Sequence, residues 1–150
     1  MAHALRGLWL VVTAAALLGA KPSGAVASTV VLVPAGPDDT FELRGVELRG
    51  AAAIDVTVTY DAAVLARPSA AVGPLLAGAM SAVNVDAPGV IRIVAVRTTP
   101  VRGTGVLATI AFARKRSGDG VRSVRARLAD LDGKPLEVRA GVRRAEPRGP

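Results

Sequence analysis

Side chains able to do covalent or acid–base chemistry are few in this 150-residue sequence. Cysteine is absent, and the single histidine, His3, lies near the amino terminus. The best-placed carboxylates are Asp55 and Asp61, six positions apart in an alternating run that predicts a β-strand. At about 3.3 Å per residue they lie roughly 20 Å apart, beyond the ~5 to 9.5 Å of a glycosidase acid pair. The sequence therefore predicts that the protein is not an enzyme.

The stretch DLDGKPLE, Asp130 to Glu137, has carboxylates in the order of a calcium-binding loop. However, Gly133 follows Asp132 directly, and the stretch is too short for the roughly twelve-residue loop of that geometry. An Asp-Gly pair is also a strong signal for a tight β-hairpin turn. We expect a turn here and no metal or other cofactor, with a structural calcium ion as the alternative.

Gly103 and Gly105 have the spacing of a phosphate-binding loop, which requires the N-terminus of a helix directly after it. The residues that follow alternate instead. Apolar side chains occupy every second position at Val106, Ala108, Ile110 and Phe112. We therefore expect the glycines to form a turn that leads into a strand.

The amino terminus has the pattern of a secretory signal peptide. His3 and Arg6 precede the apolar run Leu8 to Ala20, and small residues at Ala25 and Ala27 suit a signal peptidase. The apolar run has 13 residues, fewer than the ~18 to 20 that span a bilayer, so cleavage is favoured over a membrane anchor. We predict a signal peptide over residues 1–27, a mature protein that begins at Ser28 without a membrane span, and a secreted or periplasmic location.

The chain is basic, with a formal net charge of +7. Six of the basic residues crowd one region: Arg114, Lys115, Arg116, Arg122, Arg125 and Arg127. We predict a basic patch at Arg114, Arg116, Arg125 and Arg127, which either keeps a sheet face solvated or docks an acidic partner or an anionic glycan. Nucleic acid is not expected as a partner, because the protein is predicted to be exported and aromatic residues make up only 3% of it.

From Ser28 onwards, short β-branched runs alternate with glycine, proline and aspartate, which is typical of an all-β sandwich or barrel. We predict one domain over residues 28–142 and a disordered basic tail over residues 143–150. The strand at residues 89–100 is expected to pair with the strand Val106–Ala113 through a turn at residues 98–105. Residues 66–87 are expected to be a connection with one helical turn near residues 75–79.

The best-specified strand alternates cleanly. Its inward side chains are predicted to be Ile54, Val56, Val58 and Tyr60, and its outward ones Asp55, Thr57, Thr59 and Asp61. In a later strand, Val124, Ala126 and Leu128 are predicted to point inward and Arg125 and Arg127 outward.

Five stretches occur in an order that closely resembles the cohesin domain, in its divergent form found outside cellulosomes. They are TVTYDAAVL from Thr57, GPLLAGA from Gly73, PGVIRIVAV from Pro88, GTGVLATIAF from Gly103 and LADLDGKPLEV from Leu128. The resemblance covers residues 29–142 and implies a jelly-roll β-sandwich of about nine strands with a binding role. True cohesins bind dockerin domains of polysaccharide-degrading enzymes, so it also implies a protein partner, either dockerin-like or an envelope protein.

The resemblance implies a place where that partner binds. True cohesins present an outward Asn-x-Asp ahead of the tyrosine motif, and this falls on Ala53 to Asp55, so that only the aspartate matches. Arg97 stands where family members often present an acidic residue. We predict a partner-binding platform made of Asp55, Thr57, Thr59 and Arg97.

Two other functions remain open from the sequence. The jelly-roll fold that the resemblance implies also permits direct carbohydrate binding and a part in polysaccharide catabolism. However, sugar-binding faces usually stack sugar rings on Trp or Tyr side chains. The mature chain has only Tyr60, on the inward side of its strand. A structural adaptor in an envelope secretion assembly shares every sequence feature with a docking module.

Overall fold

The computed structural model describes residues 26–36 and 38–144. The predicted signal peptide, apart from its last two residues, and residues 145–150 of the predicted tail lie outside the described residues. The described residues form eight strands: β1 (Ser28–Pro34), β2 (Thr40–Tyr60), β3 (Leu65–Val72), β4 (Met80–Asn84), β5 (Val90–Arg114), β6 (Val121–Ala129), β7 (Pro135–Leu136) and β8 (Val138–Val142). One 3-10 turn, Pro74–Leu76, lies between β3 and β4. The expected all-β class is confirmed.

The strands form the two layers of a sandwich. The first layer has the order β3, β5, β2, β1, β8, and it uses the second half of β5 and the first half of β2. The second layer has the order β4, β5, β2, β6, β7, and it uses the other half of each long strand. Among the eight strands of the described residues, only β1 and β8 pair in parallel. Eight strands therefore suffice where about nine were expected, because β2 and β5 each serve both layers.

The two long strands, β2 and β5, lie next to each other and pass together from one layer to the other. Their register shifts several times between Gly45 and Ala53, and the backbone N–H of Glu47 donates a hydrogen bond of 3.0 Å to Thr104 Oγ1. Gly103 has φ of +92°, a conformation that side chains with a Cβ rarely adopt. The predicted hairpin at residues 98–105 is wrong, because this segment is a corner within β5 and both of its flanks pair with β2.

A bulge in β5 changes which side chains enter the core. Leu43 pairs with Ala108, whereas Arg44 pairs with Val106, so Leu107 is the extra residue on β5. Leu107 is fully buried, and Val106 is only half-buried. The alternation that starts at Val106 therefore holds for Ala108 and Ile110, which are fully buried, but not for Val106 itself.

One hydrophobic core joins the two layers. Leu32, Leu43 and Ile110 enter it from the first layer, and Val56 and Ile93 enter it from the second. Three aromatic rings pack at its edge, where the Phe112 centroid lies 5.0 Å from that of Tyr60 and 6.0 Å from that of Phe41. Tyr60 is 7% exposed, as its inward position predicted.

Two local predictions have different outcomes. Residues 66–87 contain strands β3 and β4 and only the short 3-10 turn, so the expected connection with a helical turn is largely wrong. The Asp132-Gly133 turn is confirmed, because Leu128 pairs with Leu136 across it and Gly133 has φ of +77°. Within residues 26–36 and 38–144, no helix is long and apolar enough to cross a membrane.

Candidate functional site

The second layer turns one side to the core and leaves the other open, and we call the open side the outer face. Strand alternation places on it the side chains that pair with one another across β4, β5, β2 and β6. They are Met80, Ala82, Asn84, Arg92, Val94, Val96, Ala53, Asp55, Thr57, Thr59, Ser123, Arg125 and Arg127. The predicted outward row Asp55, Thr57, Thr59 is at the centre of this face.

Among the paired side chains just named, Asp55 alone is acidic. Arg92 on β5 donates two hydrogen bonds to it, from Nε to Oδ1 at 3.0 Å and from Nη2 to Oδ2 at 2.7 Å. Asp55 pairs directly with Arg127 on β6, the strand on its other side. The hydrogen bonds from Arg92, together with the charges of Arg92 and Arg127, hold the pKa of Asp55 below its usual value.

The predicted residues on β2 and β6 do come together. Thr57 pairs with Arg125, and Thr59 pairs with Ser123 through a hydrogen bond of 2.6 Å between their hydroxyl oxygens. Arg125 and Arg127 are exposed, and among the described residues neither takes part in a salt bridge. The centre of the outer face thus combines three arginines with one carboxylate that is already bound.

Arg97 is not brought into this row. Ala53 pairs with Val96, and the inward side chains of this part of β5 are Ile91, Ile93 and Ala95. Arg97 is two positions after Ala95, so alternation would give it the direction of the inward side chains. It lies beyond the regular pairing, where the strand turns to the other layer. Val96 occupies the outward place that the sequence assigned to Arg97.

The predicted basic patch is divided between two places. Arg125 and Arg127 lie on the outer face, but Arg114 ends β5 in the first layer. Its guanidinium binds both carboxylate oxygens of Asp39 and donates to the carbonyl oxygen of Gly118 at 2.9 Å. Arg116 follows in the loop; the pKa of Asp61 is lowered mainly by the hydrogen bond from the backbone N–H of Ala63, and the charge of Arg116 makes a smaller contribution. The four arginines therefore do not form the single patch that was expected.

Sequence reasoning missed the apolar part of the outer face. Met80 on β4 is 83% exposed and pairs with Val96 on β5, which is 51% exposed. The signal for Val96 was present, since it alternates with Ile93 and Ala95 in the predicted strand. The exposure of Met80 could not be predicted, because the small and polar residues of β4 resemble a loop and gave no signal for a strand.

Two hollows open along the outer face and share a rim. The larger, about 530 Å³, has mainly apolar walls that include Ala53, Val94 and Pro135. The smaller, about 290 Å³, is lined by Asp55, Thr57, Arg92, Arg125 and Arg127. Asp55 and Arg127 line both hollows. An apolar site and a charged site therefore lie side by side.

The loop with carboxylates in calcium-like order is a turn that uses its own first aspartate. Asp130 Oδ1 accepts hydrogen bonds from the backbone N–H groups of Asp132 at 3.0 Å and Lys134 at 2.9 Å. Within residues 26–36 and 38–144, no three His, Cys, Asp or Glu side chains are grouped so that they could hold a metal ion.

Solved structures similar to this chain are cohesins. A non-cellulosomal cohesin from the archaeon Archaeoglobus fulgidus is 14% identical, with a TM-score of 0.64 over 79% of this chain and 92% of that one. The sixth cohesin of Acetivibrio cellulolyticus scaffoldin B, solved in complex with a Cel5 dockerin, is 18% identical, with a TM-score of 0.65 over 77% and 96%. A type I cohesin from Clostridium thermocellum, also solved with a dockerin, is 15% identical, with a TM-score of 0.61 over 77% and 92%.

The sequence itself supports the same conclusion. No curated protein matches the chain. The family model described as the cohesin domain matches residues 27–130, from the start of β1 to the end of β6. Cohesin domains are non-catalytic modules that mediate docking between proteins. Because this match spans more than half of the sequence, the chain belongs to the cohesin family.

Proposed function

We propose that this protein is a non-catalytic docking module that binds another protein through the outer face. Family membership supports a protein partner, and two of the similar cohesins were solved with dockerins. The partner class is therefore a dockerin-like module or, for a protein of the cell envelope, another envelope protein.

The observation that carries this proposal is the exposed apolar strip beside the charged centre of the outer face. Met80 and Val96 form a cross-strand pair, and both are more than half exposed. Large exposed apolar side chains next to polar ones are typical of surfaces that bind proteins. Direct sugar binding has less support, because the outer face has no aromatic side chain on which a sugar ring could stack, and Tyr60 lies in the core.

The test compares two arginine substitutions on opposite layers. Val96→Arg places a charge in the apolar strip, whereas Thr109→Arg places the same charge at an exposed position of β5 in the first layer. We expect the wild type and Thr109→Arg to retain a specific protein from the organism's envelope and culture fractions, and Val96→Arg to lose it. The retained protein is then purified, and its affinity for all three baits is measured.

Two results would reject the docking proposal. One is retention of the same proteins by all three baits, which would remove the outer face as the binding site. The other is retention of a polysaccharide and no protein, which would favour the carbohydrate-binding alternative. The identity of a retained protein separates a dockerin-like partner from a component of an envelope secretion assembly.

We also propose that residues 1–27 are a signal peptide and that the protein acts outside the cytoplasm. The regular structure of β1 begins at Ser28, whose side chain is 3% exposed, so cleavage before Ser28 removes no strand residue. Amino-terminal sequencing of the protein from envelope and culture fractions tests this directly. We expect the sequence STVVLVP, and an intact amino terminus would contradict the proposal.

A further inference from the structure

We propose that the partner binds the outer face with an acidic and apolar surface, in which a carboxylate enters the smaller hollow beside an apolar side chain in the larger one. This inference rests on the proposed docking function and adds the chemistry of the partner.

The charge of the outer face is the first argument. Three arginines, Asp55 and Glu137, which lines the larger hollow, leave it with a net charge of +1. The charge of the aspartate is already balanced within the protein, because Arg92 donates a hydrogen bond to each of its carboxylate oxygens. Arg125 and Arg127 form no salt bridge among the described residues, so their guanidinium donors face solvent. A partner carboxylate satisfies these donors, whereas a partner lysine or arginine is repelled.

The two adjoining hollows are the second argument. The smaller is lined by all three arginines of the face, and Thr57 adds a hydroxyl group. Its volume of about 290 Å³ exceeds what a single carboxylate group needs. The larger hollow begins at the same Asp55 and Arg127 and has mainly apolar walls. A partner segment that carries both kinds of side chain close together therefore matches the outer face.

The apolar strip favours a protein over an anionic glycan. A sulfated or uronic-acid polymer satisfies the arginines but leaves the pair of Met80 and Val96 in water. An acidic protein surface with apolar side chains covers both parts, and removal of the exposed Met80 and Val96 side chains from water favours binding.

The test uses the full mature protein and short blocked peptides as probes. One peptide alternates leucine with glutamate, and a second alternates leucine with lysine. A third contains glutamate and serine, and a sulfated heparin oligosaccharide represents glycans. We expect the Leu-Glu peptide to bind most tightly and to shift the backbone and arginine Nε resonances of β5 and β6. Its affinity should fall by about tenfold or more between roughly 50 and 500 mM NaCl, because exposed ion pairs are screened by salt.

Charge-matched double variants make the test specific to the outer face. We expect Arg125→Glu with Arg127→Glu to weaken binding of the Leu-Glu peptide by about tenfold or more. Arg139→Glu with Arg143→Glu changes the net charge equally at exposed positions of β8 and just after it, and it should leave the affinity within about twofold. Arg125→Gln with Arg127→Gln repeats the loss without charge repulsion, should the glutamate variant not fold.

Several results would overturn the inference. They are no saturable binding of the Leu-Glu peptide, equal binding of the Leu-Lys or Glu-Ser peptide, equal losses in the two glutamate variants, or tighter binding of the oligosaccharide. These are distinguishable from failure of the docking function itself. If Val96→Arg abolishes partner capture while Arg125→Glu with Arg127→Glu retains it, the docking function stands and the acidic partner is rejected.

Discussion

Arg92 and Asp55 lie on neighbouring strands of the outer face, and the guanidinium of Arg92 donates to both carboxylate oxygens of Asp55 at 3.0 and 2.7 Å. The two residues are diagonal neighbours, because Asp55 pairs with Val94 and Arg92 pairs with Thr57. This geometry makes the aspartate part of the scaffold of the outer face. The arginines of the outer face that have no such carboxylate partner among the described residues are Arg125 and Arg127 on β6.

The first prediction concerns the pKa of Asp55. Replacement of Arg92 by methionine removes both hydrogen bonds and the nearest positive charge, so the pKa of Asp55 should rise towards the value of about 3.9 found in model peptides. Carbon-detected NMR titration of the Asp55 carboxyl group measures this rise. Arg125→Met removes an arginine of the same face that does not hydrogen-bond to Asp55, and it should cause a smaller change. An equal rise in both variants would contradict the assignment.

The second prediction concerns acid unfolding. Asp55 and Asp61 both have lowered pKa values in the folded state, Asp55 mainly through Arg92 and Asp61 mainly through the backbone N–H of Ala63, with Arg122 next. Between the lowered and the usual pKa values the unfolded chain binds more protons, so stability rises with pH there and is lost as pH falls below about 4. The variant Asp55→Asn with Asp61→Asn should flatten this dependence.

Urea unfolding from about pH 2 to pH 7 measures the acid dependence. Glu47→Gln reports the effect of removing an acidic charge at an exposed position away from the outer face. Parallel curves for the wild type and the double variant would show that the two aspartates do not couple folding to protonation.

The third prediction tests the bulge in β5. Leu107→Ala removes a fully buried side chain and should lower the free energy of unfolding by about 2–5 kcal/mol. Val106→Ala, one position away, removes a half-buried side chain and should cost about 1 kcal/mol. Chemical denaturation of both variants measures the difference. The reverse order would mean that simple alternation from Val106 describes the strand better than the bulge does.

The fourth prediction tests the corner of β5. Gly103 has φ of +92°, and a Cβ added there meets no atom within 4 Å. Gly103→Ala should therefore destabilise the protein by about 1–2 kcal/mol through backbone strain alone. Gly141 on β8 also has open space around it but no such backbone conformation, so Gly141→Ala should be close to neutral. Thermal unfolding compares the pair, and equal midpoints would argue against strain at the corner.

Local patterns in the sequence predicted a substantial part of the structure. Alternation in β2 and β6 assigned inward and outward side chains correctly, because a half-buried strand needs apolar residues at every second position. The Asp132-Gly133 pair predicted the hairpin between β6 and β7, since glycine accepts the positive φ of that turn. The order of five motifs identified the family, which the family match then confirmed.

Long-range pairing could not be predicted in the same way. The bulge at Leu107 depends on the register of β5 against β2, and a shift of one residue exchanges the faces without changing composition. The corner at residues 98–105 has the glycines and proline of a hairpin, and only its pairing with β2 shows that β5 continues through it.

The sequence by itself determined the strand class and the outward row of Asp55, Thr57 and Thr59, because these follow from residue type and local period, and the order of its motifs carried the resemblance to the family. The tertiary structure decided which side chains of other strands surround that row and which of them stay exposed. It bound Asp55 to Arg92, left Arg125 and Arg127 open to solvent, and set Met80 beside Val96. Each of these relationships joins different strands, and the register that brings strands together is fixed by burial of the whole core rather than by any one segment.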